Sequence, residues 1–304
     1  MKIAVVSDSR VVGERANAIA VNNTAQSFAE LGHDVTLIVP ARGGNKEATT
    51  ERIAKLFGFQ PKFRLEVLSV CDSHRALKLG TKLWFQLVSW SFAFAVRKHL
   101  KRNSYDLVYT RSQYVSFLSD SVYEAHHCSL MKRFMVAGRR VVCISLPIWE
   151  EFKRGSVIPL GYRRHPAEKV RKSEVLYVGS RFKEKGIDLI EKSRHEITVV
   201  TGLPHKEVYN YLEGAKVLLL PSTGKHNCPL KLVEYMSTEK SIVACDRPNV
   251  RSLMGATPFY FEMGNVEDMD RKIDLALENP QGAQNIPLTW DERAKIILSC
   301  IENG

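Results

Sequence analysis

The 304-residue chain contains no C-x-x-C pair, no G-x-G-x-x-G loop, no solenoid-period repeat and no low-complexity tract. Its six cysteines are scattered, which argues against a disulfide framework or a zinc site and for a reduced, cytoplasmic protein; no signal peptide is expected ahead of the first strand. No apolar run approaches the roughly 20 residues that a spanning helix needs. Lack of the glycine fingerprint argues against a nicotinamide-dependent dehydrogenase. No DNA- or RNA-binding motif is present either, so a nucleic-acid partner is not expected. Acidic residues are in deficit, 33 Asp and Glu against 44 Lys and Arg, and the formal charge of +11 favours an anionic partner such as a phosphate-bearing substrate or an acidic membrane surface.

The chain has enough apolar residues, 44%, for about two domains with real cores. Residues 2–7 form a short apolar run, a polar loop follows to Ala16, and Ala18, Val21, Ala25, Phe28 and Ala29 fall on one helical stripe that stops at Gly32. Residues 33–40 read as the next strand. This βαβ opening predicts a parallel sheet with right-handed crossovers. Asn17, just before the stripe, reads as the N-cap of that helix or as a site residue.

Residues 63–68 alternate as a strand. Residues 83–96 are rich in aromatics (Trp84, Phe85, Trp90, Phe92, Phe94) and are bracketed by cations from Arg75 to Arg102. Two readings are open: a helix buried against the first sheet, or an interfacial helix drawn to anionic lipid. Residues 105–111, 121–127, 140–145 and 156–162 are expected strands, with a short helix over 113–118 and another near 148–154. Their carboxyl ends are where ligands gather in an open α/β sheet. The charged, aperiodic run at 163–172 reads as an interdomain linker.

The βα alternation restarts at 174–179 and continues at 197–202, 217–220, 241–246 and 259–261, with a helix over 266–277. Thr289 and Glu292 form a capping box for a terminal helix. The stretch from Val217 to Met236 combines a buried strand, the stop at Pro221, a polar loop and a helix opening at Pro229. Such a junction is either an ordinary connection or a phosphate cradle of backbone N–H groups and cations. Gly179 followed by Arg181, Lys183 and Lys185 suits the same chemistry.

At these residues the chain resembles the nucleotide-sugar glycosyltransferases of the GT-B fold, specifically the retaining family 4. Residues 229–236 are similar to the second half of that family's Glu-x7-Glu motif, with Glu234 in the second Glu position and His226 where the first Glu normally stands. Arg15, Asn17 and residues 28–37 resemble its N-terminal domain, Tyr123 to His126 its histidine segment, and Lys185 with Gly186 its diphosphate-binding loop, in which Ser180 takes the usual arginine position and Arg181 is shifted by one. The resemblance implies an α/β protein with two Rossmann-like domains, parallel sheets facing a cleft: residues 1–162 on the acceptor side, a linker at 163–172, a donor domain over 173–288, and a terminal helix over 289–304 crossing back to the first domain. It implies catalytic roles for His126, Lys185 and Arg181, and donor contacts from Glu234, Ser180, His226, Asn227, Pro229, Leu230, Lys231 and Gly202. Arg15 and Asn17 would face the cleft or the acceptor. The donor would be a nucleotide-diphosphate sugar and the acceptor a glycan or lipid-linked hydroxyl. No cofactor and no metal would be required. An anionic membrane surface would be met through residues 75–102, at the inner face of the membrane. A GT-B epimerase or an inactive nucleotide-sugar-binding homologue would share the same donor site.

Overall fold

The computed structural model describes residues 1–71, 81–257 and 259–302. Arg75 and Lys78, expected in the cationic bracket of the aromatic segment, lie outside them. The chain divides into two compact units. The first comprises Met1–Ile144, Ile148–Ile158 and Asp291–Gly304, and the second comprises Ser145–Pro147 and Pro159–Trp290.

The first unit carries a seven-stranded parallel sheet in the order β3-β2-β1-β4-β5-β6-β7. Its strands are β1 Lys2–Val6, β2 Asp34–Pro40, β3 Arg64–Leu68, β4 Leu107–Thr110, β5 Val122–Ala125, β6 Arg140–Cys143 and β7 Ser156–Val157. Sequence order reverses between β1 and β4, which pair directly, Ile3 opposite Leu107. Helix α1, Ala16–Glu30, ends in a Schellman arrangement: Gly32 at φ 87 lets His33 N–H reach the Phe28 carbonyl and Gly32 N–H the Ala29 carbonyl. Helices α2, Thr50–Phe57, and α3, Thr81–Arg102, follow. Phe92, Ala93 and Val96 of α3 are buried beside Ala4, Val6 and Ile38, and Val88 is buried too, so one stripe of the aromatic segment is core. Its other side is exposed at Phe85, Leu87 and Phe94. Two short helices, α4 Gln113–Leu118 and α5 Leu130–Met135, follow β4 and β5.

The second unit has five parallel strands, ordered β12-β11-β10-β8-β9. They are β8 Ser173–Val178, β9 Ile197–Val200, β10 Ala215–Leu220, β11 Ser241–Cys245 and β12 Tyr260–Phe261. Central β10 sits between β8 and β11, and Val217 to Leu220 are wholly buried, which is why that strand reads as an unbroken apolar run. Here the order reverses between β8 and β10. Residues 163–172, expected as a linker, lie within this unit. Arg171 N–H and Lys169 N–H bond the carbonyl and side chain of Asn210 on the helix His205–Leu212, and His165 is buried beside that helix. Those backbone bonds give a charged run a fixed course.

Candidate functional site

In each sheet the order reversal leaves an opening at the carboxyl ends of two neighbouring strands, where ligands bind in open α/β folds. In the second unit those strands are β8 and β10. Gly179, the residue after β8, adopts φ +152, and a Cβ there would collide with the Lys231 ammonium and the Tyr177 hydroxyl. The glycine therefore opens the space that Lys231 fills. Lys231 Nζ donates to Tyr177 Oη at 3.2 Å and lies 4.3 Å from the centre of its ring. Burial, then the neighbouring Lys185 ammonium, pull the Lys231 pKa down to about 8. Lys185 ends the turn Lys183–Lys185, and Gly186 at φ 78 starts the next helix within van der Waals reach of Pro221. Among the described residues neither ammonium has a carboxylate within salt-bridge distance.

The helix Leu230–Met236 is capped by Pro229 and tied to β8, because the Tyr235 hydroxyl accepts from Val178 N–H at 2.9 Å. Its Glu234 is 5% exposed, and Glu234 Oε1 is held 2.5 Å from His205 Nε2. His165 stacks edge-on to His205 with ring centres 5.4 Å apart, and burial and then His205 push the His165 pKa down to about 4. Asn249, fully buried, donates to the carbonyls of Gly224 and Asn227 at 3.1 and 2.6 Å and so fixes the loop before the helix.

In the first unit the strands at the reversal are β1 and β4, followed by Asp8 and Arg111. Glu124, in the middle of β5, is 2% exposed and is the hub of a cluster. Glu124 Oε2 accepts from the Tyr109 hydroxyl and from Arg293 Nη2 at 2.7 Å. Glu124 Oε1 accepts from His126 Nε2 at 2.5 Å and lies 3.4 Å from Arg111 Nε. Burial alone would raise the Glu124 carboxyl; Arg293, His126 and Arg111 more than offset it and hold it well below the usual range. Arg111 Nη2 donates to His126 Nδ1 at 3.0 Å, so the partners assign the neutral tautomer with its proton on Nε2. Burial and Arg111 bring the His126 pKa down to about 4. Arg293, on the terminal helix Trp290–Glu302, is 1% exposed.

Residues 162–279 match the family model described as "Glycosyl transferases group 1". No curated protein sequence matches the chain. Among solved structures, sucrose-phosphate synthase from Thermosynechococcus elongatus is similar over 100% of this chain and 97% of its own, at 16% identity and a TM-score of 0.68. HepE (Alr3699) of Anabaena, solved with UDP, is similar over 98% of this chain and 95% of its own, at 15% identity and a TM-score of 0.64. AviGT4, a glycosyltransferase involved in avilamycin A biosynthesis, gives 13% identity and a TM-score of 0.65 over 99% and 97%. At these identities the likeness is one of fold. The fold is GT-B.

Set on the GT-B frame, the expected donor residues divide. Lys185, Lys231, Pro229, Leu230 and Glu234 gather around the ends of β8 and β10. Ser180 is half-buried with its carbonyl accepting from Tyr177 Oη at 3.0 Å, whereas Arg181 is exposed. Gly202, at φ 70, is exposed in the loop after β9. Asn227 is exposed and His226 half-buried in the loop fixed by Asn249. Arg15, not Asn17, occupies the N-cap position of α1, with no side-chain cap bond. Asn17 lies one residue inside the helix, and its Oδ1 accepts from Arg111 Nη2 at 3.1 Å, so its side chain is turned to the cation rather than to the helix end.

Arg111, Glu124, Arg293 and His205 were not singled out in the sequence. A signal existed for two of them. Arg293 interrupts the apolar stripe Trp290, Ala294, Ile297, and Glu124 stands alone in an apolar strand; a charge in either place demands a buried partner.

The cluster predicts acid lability. Because the folded His126 pKa is depressed from 6.5 to about 4, its contribution is complete above 6.5 and disappears as pH falls to about 4; Glu124, also depressed, adds to the loss below its unfolded value of 4.5. For His126 the difference is at most about 3 kcal/mol. Urea unfolding of wild type and His126→Gln across this range should show a shallower slope in the variant, with His165 contributing equally to both. Parallel slopes would mean that His126 does not carry the effect.

Proposed function

We propose that this protein is a retaining, family 4 hexosyltransferase that moves a sugar from a nucleoside-diphosphate sugar to a hydroxyl of a glycan or lipid-linked acceptor. The observation that carries the reading is the pair of unpaired ammoniums, Lys185 and Lys231, at the strand reversal of the unit that the glycosyltransferase family model matches. Burying Lys231 with no carboxylate in salt-bridge contact is unfavourable, and a diphosphate would supply an anion in direct contact.

Departure of a nucleoside diphosphate breaks the bond from the anomeric carbon to phosphate oxygen and leaves negative charge on that oxygen. Two preorganised cations stabilise it as it develops, with no reorganisation at the moment of reaction. The acceptor oxygen forms its bond on the face the diphosphate vacates, and the departing phosphate oxygen takes its proton. No metal is needed for these steps. Glu234, locked by His205, orients the ribose, which is positioning. His126 has both ring nitrogens engaged and is neutral, so it serves by holding Arg111 and Glu124 in place and not by transferring a proton. The protein would work on the cytoplasmic side of a membrane whose anionic surface it meets through residues 75–102. No helix among the described residues is long and apolar enough to cross it.

Thermal unfolding with nucleoside diphosphates and nucleotide sugars tests the donor class. UDP and UDP-glucose come first, since the similar HepE was solved with both. At 100 times its dissociation constant the donor should stabilise the fold by about 2.7 kcal/mol, visible as a rise in melting temperature, and Glu234→Ala should abolish the rise. No rise with any nucleotide would overturn the reading.

A further inference from the structure

The cations of this chain are not evenly spread. No acidic residue occurs between Asp72 and Asp106 or between Glu124 and Glu150, and these two stretches carry seven and four Lys and Arg, as many as the whole formal excess of +11. Outside them the chain is formally neutral.

Leu130, Phe134 and Met131 are 83%, 68% and 64% exposed, three of the four most exposed large apolar side chains among the described residues. Leu130 and Phe134, four residues apart, share one side of α5, with Met131 at its edge next to Met135, which is buried. An aromatic row links them to α3. The rings of Phe134 and Phe117 are 6.4 Å apart, Phe117 and Trp90 5.9 Å, and Trp90 and Phe94 6.0 Å. Phe117 and Phe94 are themselves 44% and 57% exposed. Beyond Phe94, Arg97, Lys98, Lys101 and Arg102 line a hollow of about 360 Å³. Arg133 is exposed beside Phe134. Arg139 and Arg140 are turned away, onto the carbonyls of Ser116 and Ile301.

We propose that this three-helix surface, with α5 at its apolar centre and the cations of α3 at its rim, docks the protein on an anionic lipid bilayer. It deepens the membrane reading above and rests on it, but moves the apolar anchor from the aromatic helix to Leu130, Met131 and Phe134. Exposed aliphatic and aromatic side chains enter the acyl boundary, and the cations hold headgroup phosphates alongside. A second copy of the chain fits less well, because pairing this face with itself would bring two cationic rims together.

Sedimentation with phosphatidylcholine vesicles containing roughly a third phosphatidylglycerol tests the proposal against pure phosphatidylcholine. Wild type should bind the anionic vesicles, and added salt should weaken the binding. Leu130→Ser/Met131→Ser/Phe134→Ser should partition at least about tenfold more weakly, with its melting temperature and nucleotide-induced rise unchanged. Failure of wild type to bind overturns both the proposal and the membrane reading. Wild-type binding that survives the triple substitution but is lost in Phe94→Ser overturns the anchor assigned here and leaves the α3 reading standing. A dimer that dissociates in the triple variant, without vesicle binding, assigns the face to a second copy and also overturns the proposal. None of these outcomes depends on donor binding in the second unit.

Discussion

Arg293→Met is expected to lower the unfolding free energy of the first unit by about 3–5 kcal/mol, because removing one partner of a buried pair leaves the other charge uncompensated. The partner is Glu124, 2% exposed, whose low pKa depends first on Arg293. The Tyr109 hydroxyl, His126 and Arg111 still reach the carboxylate, which places the effect toward the lower end of that range. Methionine keeps the apolar stem volume, so the loss reports charge and not a cavity. Urea unfolding of the variant should show a lower midpoint. The double variant Arg293→Met/Glu124→Gln should recover at least half of the loss, since no unpaired ion remains. A single-variant loss below about 1 kcal/mol, or a double variant that loses the sum of both changes, would show that the pair is not the fastening of the terminal helix.

This pair marks the limit of what the sequence discloses. Arg293 and Glu124 are separated by 169 positions, and no local period connects them. The elements were more legible than the contacts between them. Val217 to Leu220 could be read as a central strand because a parallel strand covered on both faces has no polar alternation. Gly32 could be read as a helix terminator because that position needs positive φ. Lys185 and Lys231 entered through the family resemblance, and the structure brings the two ammoniums close enough for one to depress the other's pKa.

What failed had physical causes of its own. Residues 163–172 look solvated by composition, yet their course is set by backbone bonds to Asn210. Asn17 has the residue type of a cap, but a cation 94 positions away claims its oxygen. Helix α5 gave no amphipathic signal because its apolar side chains point outward, the reverse of the pattern a core imposes. His205 was not singled out because nothing near it in the chain shows that its ring holds Glu234, 29 positions away.

If the proposed reaction holds, Lys231→Met is expected to lower kcat/KM roughly 30- to 1000-fold with the nucleotide-sugar donor, the cost of losing one buried cation that would face the developing diphosphate charge. The same substitution should leave stability unchanged or raise it. In the free protein the Lys231 ammonium is desolvated, has only Tyr177 as a hydrogen-bond partner and is repelled by Lys185, so an apolar side chain of similar length removes an unfavourable burial. Lost activity with an intact melting temperature therefore cannot be ascribed to unfolding. The pH profile adds a second signature. With a pKa of about 8, Lys231 loses its proton as pH rises through that value, so wild-type kcat/KM should fall on the alkaline side, while kcat falls only at higher pH because the bound diphosphate stabilises the ammonium. In Lys231→Met the alkaline limb of kcat/KM should vanish; in Lys185→Met it should shift upward, because the neighbouring charge that helps to depress Lys231 is gone. A variant within about threefold of wild type, or a limb that persists without Lys231, would remove this lysine from the donor site.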